Sequence, residues 1–84
     1  MVTESPRTMP PDGELLDQAG RLHADADLMD GYARRLLATA AAVTGCGAAP
    51  EWSRPTLERQ AAACSTAAEQ LRTAARALLV HVRA

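Results

Sequence analysis

Apolar residues recur in alternating four- and three-residue steps along two long stretches of the chain. In the first stretch they are Leu15, Ala19, Leu22, Ala26, Met29, Ala33, Leu36, Ala40 and Val43. In the second they are Leu57, Ala61, Cys64, Ala68, Leu71, Ala75, Leu78 and Val82. This heptad spacing is typical of α-helices that pack side by side. The pattern therefore predicts two helices, each with one apolar seam.

Proline, glycine and capping residues predict where the two helices begin and end. The predicted elements are a flexible tail, a first helix, a loop and a second helix, over residues 1–11, 12–44, 45–55 and 56–83. Asp12 is the expected N-cap of the first helix, and Gly45 and Gly47 are expected to end it. Ser53 is a suitable cap for the second helix, because Pro55 then falls in its first turn. Residues 12–84 thus form one helical domain.

Each seam alternates between a large and a small position. The large position holds Leu15, Leu22, Met29 and Leu36 in the first helix, and Leu57, Leu71 and Leu78 in the second. The small position is almost always Ala, which lets two helix backbones approach closely. The short loop makes the helices antiparallel neighbours. A turn centred near residue 50 pairs Val43 with Leu57, Met29 with Leu71 and Leu22 with Leu78, and sets Asp25, Asp27 and Asp30 level with Arg72 and Arg76.

Composition supports an all-α fold and narrows the possible partners. Aromatic residues make up only 2% of the chain while hydrophobic residues make up 48%, so Ala and Leu, which favour helix, dominate. The net charge of −1 provides no basic face, so we expect no nucleic-acid binding. The apolar runs are too short to span a bilayer, so we expect no membrane insertion. The N-terminus lacks signal-peptide features, which predicts a cytoplasmic protein whose export, if any, involves no cleaved leader.

Two helices of this size bury little surface, which predicts assembly with a further helical chain. Several apolar residues beside the seams would suit a second interface, namely Leu16, Leu28, Tyr32, Leu37, Leu79 and Val80. We therefore expect a four-helix bundle, formed with a second copy or with another helical-hairpin protein. The predicted core and partner interface comprises Leu15, Leu22, Leu28, Met29, Leu36, Tyr32, Trp52, Leu57, Leu71 and Leu78.

The side chains that could carry chemistry are not arranged for it. His23 and His81 lie beside the seams, and no Cys-x-x-Cys or His-x-x-x-His motif suggests a metal site. Cys64 holds a seam position and Cys46 lies in the loop, so an internal disulfide between them is disfavoured. The acidic residues of the first helix lack the pattern of a calcium loop, and a solvated face is the better interpretation. We expect no catalytic residues, no metal and no cofactor.

A helix of about thirty residues, a turn containing tryptophan and a second helix of similar length resemble the small hairpin proteins of type VII (ESX) secretion systems. The resemblance to this Trp-x-Gly family and its relatives covers residues 13–83 and is strongest from Pro50 through Pro55. It implies that Trp52 packs between helices at the end of a bundle. A Trp at a turn commonly covers the end of a core in any case.

Two positions depart from the family pattern. Arg54 stands where the motif has Gly, and no Tyr-x-x-x-Asp/Glu export motif follows the second helix. The resemblance therefore implies an atypical member that acts as a partner or a co-secreted subunit. The alternative from a different class is an intracellular adaptor or chaperone-like dimer that masks an apolar helix of a toxin or regulator. A small enzyme or metal protein has no supporting constellation.

Overall fold

The computed structural model describes residues 10–83, which form an α-helical hairpin. Helix α1 spans Asp12–Thr44 and helix α2 spans Ser53–Arg83, and the two pack against each other along their length. No strand occurs within the described residues. The all-α hairpin predicted from the heptads is thus confirmed. Of the predicted flexible tail, residues 1–9 lie outside the described residues, and Pro10 and Pro11 are exposed.

Helix α1 has the predicted bounds, but its ends form differently from the prediction. Pro11 rather than Asp12 is the N-cap, and its carbonyl accepts hydrogen bonds from the backbone N–H groups of Glu14 and Leu15. Asp12 therefore lies in the first turn, where its negative charge interacts favourably with the helix dipole. Thr44 ends the helix, and Gly45 follows it at φ −88°. The glycines stop this helix without adopting the left-handed conformation.

Helix α2 begins at Ser53, three residues before the predicted start at residue 56. The backbone N–H of Ser53 donates to the Pro50 carbonyl, and that of Thr56 donates to the Trp52 carbonyl. Trp52, and not Ser53, thus provides the first helical acceptor. Pro55 is tolerated inside the helix because the N–H groups of the first turn have no helical acceptor. The loop is correspondingly shorter than predicted.

The centre of the hairpin is built almost entirely of alanine. The buried side chains are Leu15, Ala19, Ala26, Ala33 and Ala40 of α1, and Ala61, Ala68 and Ala75 of α2. Ala26, Ala68 and Ala75 have no solvent exposure at all. Every small position of the seam before Val82 is therefore buried between the helices. Each buried methyl contributes only about 0.8 kcal/mol, so a core of seven alanines and one leucine provides little hydrophobic stabilisation.

Candidate interaction surface

The large seam residues are only half buried. These residues are Leu22, Met29, Leu36 and Val43 of α1, and Leu57, Cys64, Leu71 and Leu78 of α2. Leu15 is the one large seam residue that is buried, with 4% of its surface exposed. No large side chain within residues 10–83 is fully enclosed. The alanines bring the backbones so close that the larger side chains project to the side of the seam.

An ion-pair cluster shows how the two helices are rotated relative to each other. The guanidinium of Arg72 lies 2.8 Å from a carboxylate oxygen of Asp27 and 2.7 Å from one of Asp30. Arg72 directly follows Leu71, and Asp30 directly follows Met29. Contact between Arg72 and Asp30 therefore supports the predicted pairing level of Met29 with Leu71. It also places the positions that follow the large residues on the same side of the hairpin in both helices.

The large residues consequently line the opposite side. In α1, Asp30 lies four residues after the seam residue Ala26 and Leu22 lies four residues before it. At 3.6 residues per turn, these offsets point about 40° to either side of the Ala column. Arg72 holds the equivalent position in α2. The large residues of both helices therefore lie together on one broad surface, here called the leucine face, and the opposite surface is called the charged face.

The leucine face runs the length of the hairpin. It consists of Leu15, Leu22, Met29, Leu36 and Val43 of α1, and Leu57, Cys64, Leu71 and Leu78 of α2. Leu28 and Tyr32 border it on the outer side of α1, with 56% and 42% of their surfaces exposed. Tyr32 also lies under the guanidinium of Arg35, 5.0 Å from the ring centroid, which favours a cation–π interaction. All the predicted interface residues except Trp52 lie on this surface or at its border.

The charged face carries the ion-pair cluster and a few separate apolar side chains. The hydrogen bonds that Asp30 and Asp27 accept from Arg72 raise the pKa of its guanidinium. Within residues 10–83, Asp25 and Arg76 form no ion pair, contrary to their predicted participation. Asp25 directly precedes the seam residue Ala26, which turns it toward the leucine face, and Arg76 donates to Thr73 of its own helix.

The predicted second interface is divided between the two faces. Leu28 and Tyr32 border the leucine face, whereas Leu16 and Leu37 share the heptad column of Asp30 on the charged face. Leu79 holds the same column as Arg72 in α2. The sequence missed this division because a count of apolar residues beside a seam does not distinguish its two sides. Heptad position combined with one interhelical ion pair does distinguish them.

The loop end of the hairpin, called the tip, presents Trp52 to solvent. Its side chain is 66% exposed, so it does not cover the end of the core within a single chain. An open cleft lies beside it, lined by Val43, Thr44, Cys46, Gly47, Ala49, Pro50, Glu51 and Arg54. Arg54 forms an ion pair with Glu58 one turn further along α2, with 3.3 Å between the charged atoms. The predicted packing of Trp52 between helices therefore does not occur within the single chain.

The remaining candidate groups stay apart. Cys46 is exposed at the tip and Cys64 is half buried on the leucine face, and both are free thiols. His23 lies on the charged-face side of α1, and His81 is exposed near the end of α2. Residues 10–83 contain no group of three His, Cys, Asp or Glu residues that could hold a metal ion. Neither described helix is long and apolar enough to cross a membrane.

Fold and surface together define a helical hairpin with one broad, partly buried apolar face. Comparisons with protein-family models, with characterised proteins and with solved structures found no match to this chain.

Proposed function

We propose that this chain is a helical-hairpin interaction subunit associated with type VII (ESX) secretion, which acts as the partner or co-secreted subunit of another helical hairpin. The leucine face is the observation that carries the proposal, because large apolar side chains along both helices are only partly buried within the single chain. A second hairpin laid on this face would bury them in a four-helix bundle. The role proposed is binding and not catalysis.

The tip adds a second supporting feature. The side chain of Trp52 lies on a turn with 66% of its surface exposed, so a large apolar group is left in contact with water in the isolated chain. It would be covered if the tip lay against the end of a neighbouring hairpin, which is the role that the family resemblance implies for Trp52. Aromatic side chains of this kind commonly dominate the free energy of an interface.

Arg54 gives some support to the second candidate, an intracellular adaptor for a toxin or regulator. The residue that replaces the family's Gly extends into solvent and pairs with Glu58. A leucine face of this width could also hold a single amphipathic helix of a client protein. Export distinguishes the two candidates, because an adaptor of this kind would remain in the cell.

The interaction part of the proposal is tested by light scattering of the purified chain, alone and mixed with hairpin proteins encoded beside a secretion ATPase. Leu71→Glu places a charge on the leucine face and should abolish association. Leu37→Glu is the matched control on the charged face and should leave association nearly unchanged. Equal effects of the two substitutions would contradict the assignment of the leucine face as the interface.

The secretion part is tested in the source organism with an epitope-tagged chain. We expect the chain in the culture medium of cells with an intact secretion ATPase, and its retention in cells that lack this ATPase. Leu71→Glu should also be retained, because it could not accompany a partner. Retention of the unsubstituted chain in both strains, with a stable complex inside the cell, would favour the adaptor candidate.

A further inference from the structure

The residues that directly follow the small seam positions point outward from the charged face. At 3.6 residues per turn each of them lies about 100° from the seam, close to the perpendicular of that face. In α1 these residues, called the outward column of α1, are Gly20, Asp27, Arg34 and Ala41. In α2 the outward column consists of Ala62, Glu69, Arg76 and Arg83. All of these residues are exposed, so both columns are open to a second molecule.

The outward columns carry charges that the hairpin does not use. The Arg72 cluster completes the inner part of the charged face. Apart from Asp27, the charged residues of the two columns form no ion pair within residues 10–83. Asp27 contacts Arg72, but its side chain remains 77% exposed, and a carboxylate accepts several hydrogen bonds. Both columns therefore present charges that are available to a second chain.

The two columns have opposite charges at corresponding levels of the hairpin. The contact of Arg72 with Asp30 supports the level of Met29 with Leu71, and this level relates the two columns. The members that correspond are Gly20 and Arg83, Asp27 and Arg76, Arg34 and Glu69, and Ala41 and Ala62. Members of a pair are about three residues apart along the axis, or about 4.5 Å, which an extended arginine side chain spans.

A second copy can use these pairs if the tips of both copies lie at the same end. The two-fold axis of this same-end arrangement runs parallel to the helices, so it leaves the level of every residue unchanged. It places the outward column of α1 on the outward column of α2 of the second copy. Pairs at corresponding levels of one chain thus become pairs between the two copies. Asp27 then lies near Arg76, and Arg34 near Glu69, twice in each dimer.

The other two-fold arrangement, with the tips at opposite ends, does not suit both helices. It places each helix on its own counterpart, so Asp27 would pair with Arg34 and Glu69 with Arg76. These two pairings need centres about three residues apart along the hairpin. Centred for α1, the arrangement sets Glu69 against Glu69 of the second copy. Centred for α2, it sets Asp27 against Asp27, and like charges placed opposite each other are unfavourable.

Two further charges distinguish the arrangements. With a centre midway between these two, the opposite-end arrangement sets Arg59 level with Arg83 of the second copy. The same-end arrangement sets Arg83 level with Asp17 instead, which forms no ion pair within the described residues. Charge therefore favours the same-end arrangement.

Gly20 provides support of a different kind. A glycine in a helix interior is less favourable than an alanine. Within residues 10–83, a Cβ added at Gly20 would meet nothing within 4 Å, so packing inside the chain does not require the glycine. In the same-end arrangement Gly20 corresponds to Arg83 of the second copy. The missing side chain leaves room there for the long arginine.

The contact is expected to be weak and sensitive to salt. Its apolar part consists of Leu16, Leu37 and Leu79, which the Arg72 cluster separates into two small groups. Exposed ion pairs contribute little individually and are screened by salt. The net charge of −1 causes little general repulsion between copies. We therefore expect this contact only at low salt and at protein concentrations well above those at which the leucine face associates.

We propose that the charged face binds the charged face of a second copy in the same-end arrangement, through the paired outward columns. This contact goes beyond the proposed function, because it does not involve the leucine face. The two faces lie on opposite sides of the hairpin, so both can be covered at once. Two complexes of this chain with its partner hairpin would then be joined back to back.

Sedimentation of the concentrated chain at two salt concentrations tests for the contact. At about 0.01 M salt we expect an association step that is absent at about 1 M, where the Debye length is only about 3 Å. Leu71→Glu, which blocks the leucine face, should retain this low-salt step. Absence of the step, or its loss in Leu71→Glu, would overturn the charged-face contact. Failure to associate with any hairpin at high salt would instead count against the proposed function alone.

Charge reversal identifies the pairs and the orientation. Arg34→Glu and Glu69→Arg should each raise the dissociation constant of the low-salt step by about tenfold, because each makes two attractive pairs repulsive. The double substitution should return it to within about threefold of the unsubstituted chain, because it reverses both members of the pair. In the opposite-end arrangement the double substitution would be worse than either single one, since Asp27 and Arg76 would then face like charges. That result would overturn the same-end arrangement.

Arg35→Glu is the matched control. Arg35 directly follows Arg34 and its substitution changes the net charge equally, but it lies beside Tyr32 on the outer side of α1. We expect the dissociation constant of the low-salt step to change by less than about threefold. An effect as large as that of Arg34→Glu would show that net charge and not the paired columns controls the step, which would overturn the proposal. Circular dichroism checks that each variant remains helical.

Discussion

The leucine face and the charged face are built on the same two seams, yet only the charged face is completed within the chain. On the charged face, Arg72 of α2 links Asp27 and Asp30 of α1. On the leucine face, large side chains from both helices lie side by side without a cover. The difference arises from the two heptad columns that flank the alanines. One column is apolar, and the other mixes apolar and charged residues.

This contrast separates orientation from association. The ion pairs fix the rotation and level of the helices, but exposed pairs contribute little to stability. The alanines allow close approach but bury small side chains only. On the leucine face, a continuous row of large apolar side chains remains only partly buried. A hairpin of this design is therefore better defined in geometry than in stability, and the proposed partner would supply the missing burial.

The largest effect is expected from a larger side chain in the buried alanine seam between the two helices. Ala68→Leu adds three carbon atoms where the side chain has no exposure, so the helices must move apart. We expect a loss of about 2–3 kcal/mol in the free energy of unfolding. The measurement is urea unfolding followed by circular dichroism. The exposed Ala62→Leu is a matched control, since Ala and Leu have similar helix propensities, and a comparable loss there would refute the close-packed seam.

A smaller effect is expected from truncating one large residue on each face. Leu71→Ala removes a half-buried side chain of the leucine face and should cost about 1–2 kcal/mol in the assembled protein. Leu37→Ala removes a 50% exposed side chain of the charged face and should cost less than about 0.5 kcal/mol. Thermal unfolding at several protein concentrations provides the comparison. We expect the loss of stability to depend on protein concentration for Leu71→Ala only. A larger loss for Leu37→Ala would mean that the charged face, and not the leucine face, is the interface.

Trp52 tests whether the tip contributes to association. Because its side chain is exposed, Trp52→Ala should change the unfolding free energy of the single chain by less than about 0.5 kcal/mol. In the assembly it should cost about 2 kcal/mol, as buried aromatic residues at interfaces do. Arg54→Ala should have little effect on either quantity. A shift of the Trp52 fluorescence to shorter wavelength on association is a further readout, and its absence would place the tip outside the interface.

The smallest effect is expected from the ion-pair cluster. Arg72→Ala should lower the thermal unfolding midpoint slightly at low salt and hardly at all at high salt, because exposed charges are screened. Arg76→Ala is the control, since its guanidinium donates to Thr73 within α2 and reaches no carboxylate of α1 within the described residues. If Arg72→Ala were as damaging as Ala68→Leu, the cluster would hold the helices together and not merely orient them.

The heptads predicted most of this architecture because they record directly which side of each helix is apolar. They gave two helices, their antiparallel packing and every residue of the buried seam. Helix ends were less predictable. Both the start of α2 at Ser53 and the role of Pro11 as N-cap depend on backbone hydrogen bonds at prolines, which residue preferences describe only statistically.

The sequence by itself determined the seams and the alternation of Ala with large residues, since both depend only on spacing along one helix. Only the tertiary structure decided that the helices contact each other through the alanine columns and leave the large columns partly exposed on one side. That choice depends on the rotation of α2 against α1, which the contact of Arg72 with Asp27 and Asp30 reveals. It also decided that Trp52 lies exposed, because a hairpin of two helices has no third element at its tip to cover an indole.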